Sequence, residues 1–193
     1  MKIKEILTES EILDEISRPE MSDAETILSN AGYENLGSGT FSSVHRKADS
    51  PHCLKLVYAR DGGYRDFVRL AMQYPNPHFP KFKGKMMKIT DNYYAIRMEV
   101  LERSWFLGDE TEIMSNYIKF LRHQNNLSTQ KVTPLSDAEE INLKMNELEK
   151  SQPGITKACE ILGTKSKPTS WVDLHFGNAM MRGKTIVITD PFI

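Results

Sequence analysis

Cysteine is scarce in this chain. There are two, Cys53 and Cys159, and neither sits in a CxxC pair. A disulfide framework and a zinc ribbon are therefore excluded, and both residues read as small buried hydrophobes of a reducing compartment. An excess of one charge is also lacking. Lys and Arg total 25 against 26 Asp and Glu, a formal net charge of −1. That excludes a broadly basic nucleic-acid glove and a polybasic membrane anchor, so no nucleic acid is expected as a partner. No apolar run approaches the ~20 residues of a membrane span. The charged start Met1-Lys2-Ile3-Lys4 is not followed by the apolar core of a signal peptide. The expectation is a soluble, cytoplasmic protein with no membrane partner. The five histidines lack metal-ligand spacing. No internal repeat or low-complexity segment is visible.

What is present is ordinary globular material. At roughly 100–200 residues per domain, 193 residues make one domain or one compact two-lobed unit. Hydrophobic residues are 39%, enough to build a core without staples. Residues 1–34 read as a helical N-terminal extension. Thr8 to Glu11 and Ser22 to Glu25 both fit a capping box, and Gly32 fits a left-handed C-cap. Strands are expected over the glycine-containing run 35–48, over Cys53–Tyr58, and around 81–89 and 93–100, with a helix from Tyr64 to Tyr74. Alternation puts Lys81, Lys83 and Lys85 on one strand face, read as solvated or as a dock for an acidic partner. Residues 110–163 are helical and charged, with Tyr117, Ile118 and Leu121 as one core stripe and Ile141, Leu143, Met145 and Leu148 as a less regular one. Ser136 and Glu139 form another capping box. A hairpin closes the sequence around Arg182-Gly183-Lys184. The plan is α+β in two lobes.

Four motifs carry chemistry. Gly37-Ser38-Gly39-Thr40-Phe41-Ser42-Ser43-Val44 is a glycine-bearing hairpin. Its glycines let a backbone approach phosphates or, equally, serve the turn itself. Lys55 lies mid-strand between Leu54 and Leu56, where a lysine is costly unless paired or bound to an anion. The alternative is a surface lysine on an edge strand. Asp173-Leu174-His175-Phe176-Gly177-Asn178 has the D-x-x-x-x-N spacing that sets a carboxylate beside an attacking hydroxyl and an amide oxygen beside a metal. Ile188-Thr189-Asp190 follows across the hairpin, which folds Asp190 back toward Asn178.

With these four in order, the chain resembles the protein-kinase-like superfamily from about Leu36 to Pro191. It most resembles the early serine/threonine protein kinase of short-tailed (podoviral) bacteriophages. The resemblance implies a compact, minimal two-lobed fold. Its β-rich N-lobe with one helix covers 35–100, and its small, truncated helical C-lobe covers 101–193 and ends in the hairpin. It implies ATP and Mg²⁺ as cofactors, and transfer of the γ-phosphate to serine or threonine of host proteins and of the protein itself. Carried over by motif, Gly37, Ser38, Gly39, Phe41, Ser42 and Val44 cover the nucleotide. Met98, Glu99 and Leu101 hold adenine as a hinge. Lys55 grips the α- and β-phosphates. Asp173 orients the substrate hydroxyl and takes its proton, and Asn178 and Asp190 bind Mg²⁺.

The departures also matter. Ser42 stands for the third glycine of the loop, Val172 for the arginine before the catalytic aspartate, and Pro191-Phe192 for Phe-Gly. No clear glutamate follows Lys55, and Asp66 is the best substitute. His175 stands where protein kinases carry a lysine, and reads as a γ-phosphate contact or as a hydrogen-bonded structural histidine. Substrate docking without an activation segment must be unusual, or supplied by the helices at 110–163 or by a partner. The Asp-Leu-His-x-Gly-Asn block is equally at home in aminoglycoside- and choline-type phosphotransferases. A nucleotide-binding pseudokinase is the alternative outside catalysis. Trp105 and Trp171 are expected to be packing residues.

Overall fold

A computed structural model describes residues 21–193 apart from 90, 105 and 128–137. The chain divides into two units. One comprises the described residues up to Asp61 with Phe82–Val100; the other comprises Gly62–Lys81 and Leu101–Ile193.

The first unit is a five-stranded antiparallel sheet with one helix. Helix α1 (Met21–Asn30) is already formed ahead of the expected start at Ser22. It ends at Gly32, whose φ of 80° supplies the expected left-handed cap. Strands β1 (Tyr33–Ser38), β2 (Ser42–Lys47), β3 (His52–Tyr58), β4 (Phe82–Lys88) and β5 (Tyr93–Glu99) lie in the order β1-β2-β3-β5-β4. Period-2 alternation gives β3 two buried faces. Leu54 and Leu56 join Ala95, and Ala24 and Leu28 of α1 pack on them. His45 and Ser43 pair across from Leu54 and Leu56. They meet that apolar surface as a buried couple, with 2.8 Å between His45 Nε2 and Ser43 Oγ. Lys55, flanked in register by Val44 and Ile96, faces the other way.

Strand β4 is an edge. Lys81, Lys83, Lys85 and Lys88 are all exposed, which favours the solvated reading and keeps the edge from pairing with other chains. Their strict alternation fails, because the register shifts between Lys83 and Met87, around Gly84 at φ 77°.

The second unit is mostly helical. It holds α2 (Gly62–Gln73), α3 (Gly108–Gln124), α4 (Ala138–Ser151) and α5 (Ile155–Lys165), with a small sheet of β6 (Glu102–Arg103), β7 (Ala179–Arg182) and β8 (Thr185–Ile188). Helical spacing explains the buried faces. Met114, Tyr117 and Ile118 are buried on α3, and Ile141, Met145 and Leu148 on α4, while Leu143 falls off the stripe and is exposed. Helices α3 and α5 pack closely at Gly163, where a Cβ would stand 2.7 Å from that of Leu121. The Glu149 carboxylate receives the Gly154 and Thr156 N–H groups that open α5. The hairpin turns at Gly183, φ 59°. No helix among the described residues is long and apolar enough to cross a membrane. The capping boxes at Thr8 and Ser136 lie outside the described residues.

One division differs from the sequence expectation. Helix α2 belongs to the second unit, whereas its position between strands placed it in the first lobe. The reason is its packing. A Cβ on Gly63 would stand 2.8 Å from the Phe192 backbone, so the helix rests directly on that segment.

Candidate functional site

In the first unit, the glycine hairpin joins β1 to β2. Gly39 N–H donates to Ser42 O at 2.7 Å, and Tyr58 N–H donates to Phe41 O at 2.8 Å, tying the tip to the end of β3. Asn35 Oδ1 accepts from Gly37 N–H at 2.7 Å, at a register shift between Asn35 and Gly37. Ser38, Gly39 and Phe41 are exposed, while Gly37, Ser42 and Val44 are half-buried. Neither Gly37 nor Gly39 has a positive φ. A Cβ on Gly39 would meet only Ser42 O, at 4.0 Å. The turn therefore does not require glycine there, and the missing side chain leaves open space beside the tip.

Lys55 is 7% exposed and lies on the central strand of the sheet. The edge-strand alternative is thus corrected. Its cross-strand neighbour Val44 comes from the hairpin, so the glycine motif and the lysine share one sheet face. Met98 closes the same face, opposite Cys53. The Cys53 thiol lies 3.6 Å from Met98 O and 3.4 Å from Glu99 O. Burial pushes that thiol up to about 11, so it stays protonated. Glu99 ends β5. The chain crosses to the second unit between Val100 and Leu101, which is half-buried.

In the second unit, three residues converge through backbone pairing. Trp171 and Ile193 exchange two N–H···O bonds of 2.9 and 3.0 Å, Val172 bridges Phe192, and Asp173 N–H donates to Pro191 O at 2.9 Å. This short ribbon sets Asp173 next to the segment that carries Asp190. Asn178 locks the other end. Its Nδ2 donates to Asp173 O at 2.7 Å, and its own carbonyl accepts from Thr189 N–H at 2.9 Å and Asp190 N–H at 3.3 Å. Asp173, Asn178 and Asp190 are thereby brought together, as the motif order and the hairpin anticipate.

His175 caps the short 3₁₀ turn Phe176–Asn178. Its Nδ1 accepts from Gly177 N–H at 3.1 Å, which puts the ring proton on Nε2. His175 is thus hydrogen-bonded within its own loop, and the exposed ring keeps Nε2–H as a donor. At Gly177 a Cβ would stand 2.8 Å from the His175 ring, so with any other residue there this exposed ring would turn aside.

Asp66, the sequence's best substitute for a glutamate after Lys55, is taken up within the second unit. Its Oδ1 accepts from Arg69 Nη2 and Nε at 2.8 and 3.3 Å, and its Oδ2 from Lys167 N–H at 2.7 Å and Ser170 Oγ at 3.1 Å. Four donors fill the lone-pair sites of a carboxylate. The fully buried Arg122 serves the same loop from α3. It donates to Ser166 Oγ and to the carbonyls of Leu127, Lys167, Pro168 and Ser170, and stacks 5.8 Å from the Phe192 ring. Asp66 and Arg122 together hold the loop that delivers Asp173, and periodicity alone marked neither for it. Trp171, expected in the core, is 56% exposed. Trp105 lies outside the described residues.

The donor set fits Mg²⁺. With its nitrogen committed to Asp173 O, Asn178 presents Oδ1, and Asp190 adds a carboxylate whose Oδ1 is shielded from solvent. Among the described residues no group of three or more His, Cys, Asp or Glu forms a protein cage. Mg²⁺ asks for none, since it binds through one or two such oxygens and keeps water and phosphate for the rest.

No family model matches the chain, and no curated protein does. Among solved structures, Rad53 1–466 in complex with AMP-PNP matches at 13% identity and a TM-score of 0.37, over 89% of this chain and 42% of that one. The Cydia pomonella granulovirus kinase PK-1 matches at 14% identity and a TM-score of 0.35, over 89% of this chain and 58% of that one. The chain thus spans less than two thirds of either protein.

Proposed function

We propose that this protein is an ATP-dependent serine/threonine protein kinase that phosphorylates host proteins and itself, as in the short-tailed phage family it resembles. The observation that carries the reading is the hydrogen-bonded hub at Asn178, which supports joint action of Asp173, Asn178 and Asp190. The acceptor hydroxyl gives its proton to Asp173 while its oxygen bonds the γ-phosphorus of ATP. ADP leaves with the electron pair of the broken P–O bond. Asn178 and Asp190 would hold Mg²⁺, which when bound offsets the phosphate charge. His175 Nε2–H is a donor for a γ-phosphate oxygen.

In the first unit, Lys55 takes the α- and β-phosphates, and the backbone around Gly37, Ser38, Gly39, Phe41 and Ser42 approaches them closely. The open space at Gly39 supports this over a turn-only role. Val44, Met98, Glu99 and Leu101 serve adenine. Catalysis is then mostly positioning and charge neutralisation.

The test is transfer of label from γ-labelled ATP with Mg²⁺, to the protein alone and to a cell lysate, beside an Asp190→Ala control. Labelled protein bands that vanish in the control support the reading. Consumption of ATP only with small acceptors moves the assignment to the aminoglycoside- or choline-type class. Nucleotide binding without any transfer moves it to a pseudokinase.

A further inference from the structure

Strand β8 ends the sheet order β6-β7-β8, so one of its edges lies away from β7. The strand is nonetheless buried, with Ile186, Val187 and Ile188 at 2%, 0% and 0% exposure. Its outer backbone groups therefore need partners other than water. Two residues from outside the sheet supply them. Gln152, just past α4, donates from Nε2 to Lys184 O at 3.0 Å and accepts from Ile186 N–H on Oε1 at 3.0 Å. His78, between α2 and β4, donates from Nδ1 to Ile186 O at 2.7 Å. Its own carbonyl accepts from Ile188 N–H at 2.9 Å. These two residues stand where a further strand would pair. Asn76 steadies His78, since Asn76 Oδ1 accepts from His78 N–H at 2.8 Å and Nδ2 donates to Gly154 O at 3.1 Å.

The buried His78 ring has a second partner. Its Nε2 lies 3.1 Å from Pro153 O. A carbonyl oxygen only accepts, so both ring nitrogens carry hydrogen and the ring is an imidazolium. The charged groups about it are Glu149 of α4 and Arg182 of β7. Burial pushes the Glu149 carboxyl up, but the Gly154 and Thr156 groups that donate to it, and then the charge of His78, hold it below 4.5. Arg182 is committed to the neighbouring carbonyls, Pro77 O at 2.6 Å and Phe79 O at 2.9 Å.

Resting on the kinase reading, we infer that His78 is a positioning residue for the Mg²⁺ site, whose doubly protonated ring ties β8 to the turn before α5 and so fixes where Asp190 meets Asn178. The path is short. Ile188 N–H is held by His78 O, and Asp190 N–H, two residues on, by Asn178 O. A slip of β8 reaches the Asp190 carboxylate through Thr189 alone. A neutral ring would bond one carbonyl and turn a lone pair on the other, and a buried carbonyl left so is costly.

The first readout needs no activity. Ring ¹H–¹⁵N spectra of the full chain at about pH 7.5, where ordinary histidines are mostly neutral, show both His78 nitrogens protonated, the signals being assigned by their loss in His78→Gln. A neutral His78 ring overturns the inference. The second is hydrogen exchange in His78→Phe, which keeps a ring but no donor. The Ile186 and Ile188 amides exchange about tenfold faster, the worth of one charge-assisted hydrogen bond, while those of α3 are unchanged. The third is transfer from ATP. In His78→Phe the Mg²⁺ concentration for half-maximal rate rises about tenfold, as for groups that orient a metal ligand, with the acceptor KM unchanged. His78→Gln, with one donor left, falls between. Wild-type Mg²⁺ dependence in His78→Phe overturns the inference and leaves the kinase reading intact. If His78→Phe fails to fold, Gln152→Ala opens the same edge of β8 and is held to the same exchange and Mg²⁺ outcomes. Absence of any transfer by the wild type overturns the kinase reading and the role at Mg²⁺ with it, whatever the ring shows.

Discussion

The first unit's glycine hairpin and the second unit's Asp173–Asn178 loop are alike in sequence, since each is a short segment that places glycine at a tight turn. Their glycines answer to different demands. At Gly177 the exposed His175 ring occupies the space of a Cβ and would have to turn aside for one. At Gly39 a Cβ meets nothing closer than 4.0 Å. The Asp173–Asn178 loop is held by its own bonds through His175, Asn178 and Asp190, while the hairpin tip keeps a space its fold does not use. A residue type that serves no need of the fold is the better pointer to a ligand.

Substitutions can break or sharpen this contrast. The largest effect belongs to the self-held loop. Asp173→Ala lowers turnover roughly 10²- to 10⁴-fold, the worth of a positioned general base, while ATP binding measured by titration calorimetry persists. Wild-type turnover in this variant removes Asp173 from the chemistry. Next is Gly63→Ala, which drives a Cβ into the Phe192 backbone and costs about 1–3 kcal/mol in denaturant unfolding. Gly177→Ala displaces the His175 ring and its hydrogen bond. It costs about 1 kcal/mol and slows phosphoryl transfer. Gly39→Ala runs the other way. With no positive φ to strain, it raises stability by about 0.4–1 kcal/mol through the unfolded chain, yet weakens ATP binding. Unchanged ATP affinity in Gly39→Ala would dissolve the contrast.

The smallest effect separates the units by pH. Burial holds His45 below its ordinary 6.5 despite Glu25 nearby, so the unfolded chain takes up a proton first as pH falls. Stability from His45 is present above 6.5 and is lost as pH falls through its folded value. In the second unit, burial pushes the Glu149 carboxyl up. The N–H groups of Gly154 and Thr156 outweigh it and hold the carboxyl below 4.5. Its contribution is present above 4.5 and is lost only in stronger acid. Melting curves from about pH 2 to about pH 8 for wild type, His45→Gln and Glu149→Gln should show the first variant flattening the neutral limb and the second the acid limb. A neutral limb unchanged in His45→Gln would show that another group sets it.

Much of this was legible in the sequence because it is local. Strand alternation in Cys53–Tyr58, the turn at Arg182-Gly183-Lys184, the left-handed cap at Gly32 and the helical stripes of α3 and α4 depend on neighbours a few residues apart. The spacing of Asp173, Asn178 and Asp190 is legible for the same reason: one hairpin connects them. Asp66 was misread because its four donors include Lys167 and Ser170, far along the chain. The buried Arg122 and the exposed Trp171 were missed likewise, since burial depends on what packs from elsewhere.

The sequence by itself determined the α+β element order and the short spacings that make Lys55, Asp173, Asn178 and Asp190 candidates for the proposed chemistry, because periodicity, turn chemistry and local spacing encode them. Only the tertiary structure decided that Lys55 sits on a central strand, that α2 belongs with the second unit, and that Asp66 is spent on a loop. It also decided at which glycine the space of a Cβ is filled and at which it stays open. Long-range pairing sets how each donor, acceptor and Cβ space is filled, and no local pattern records that.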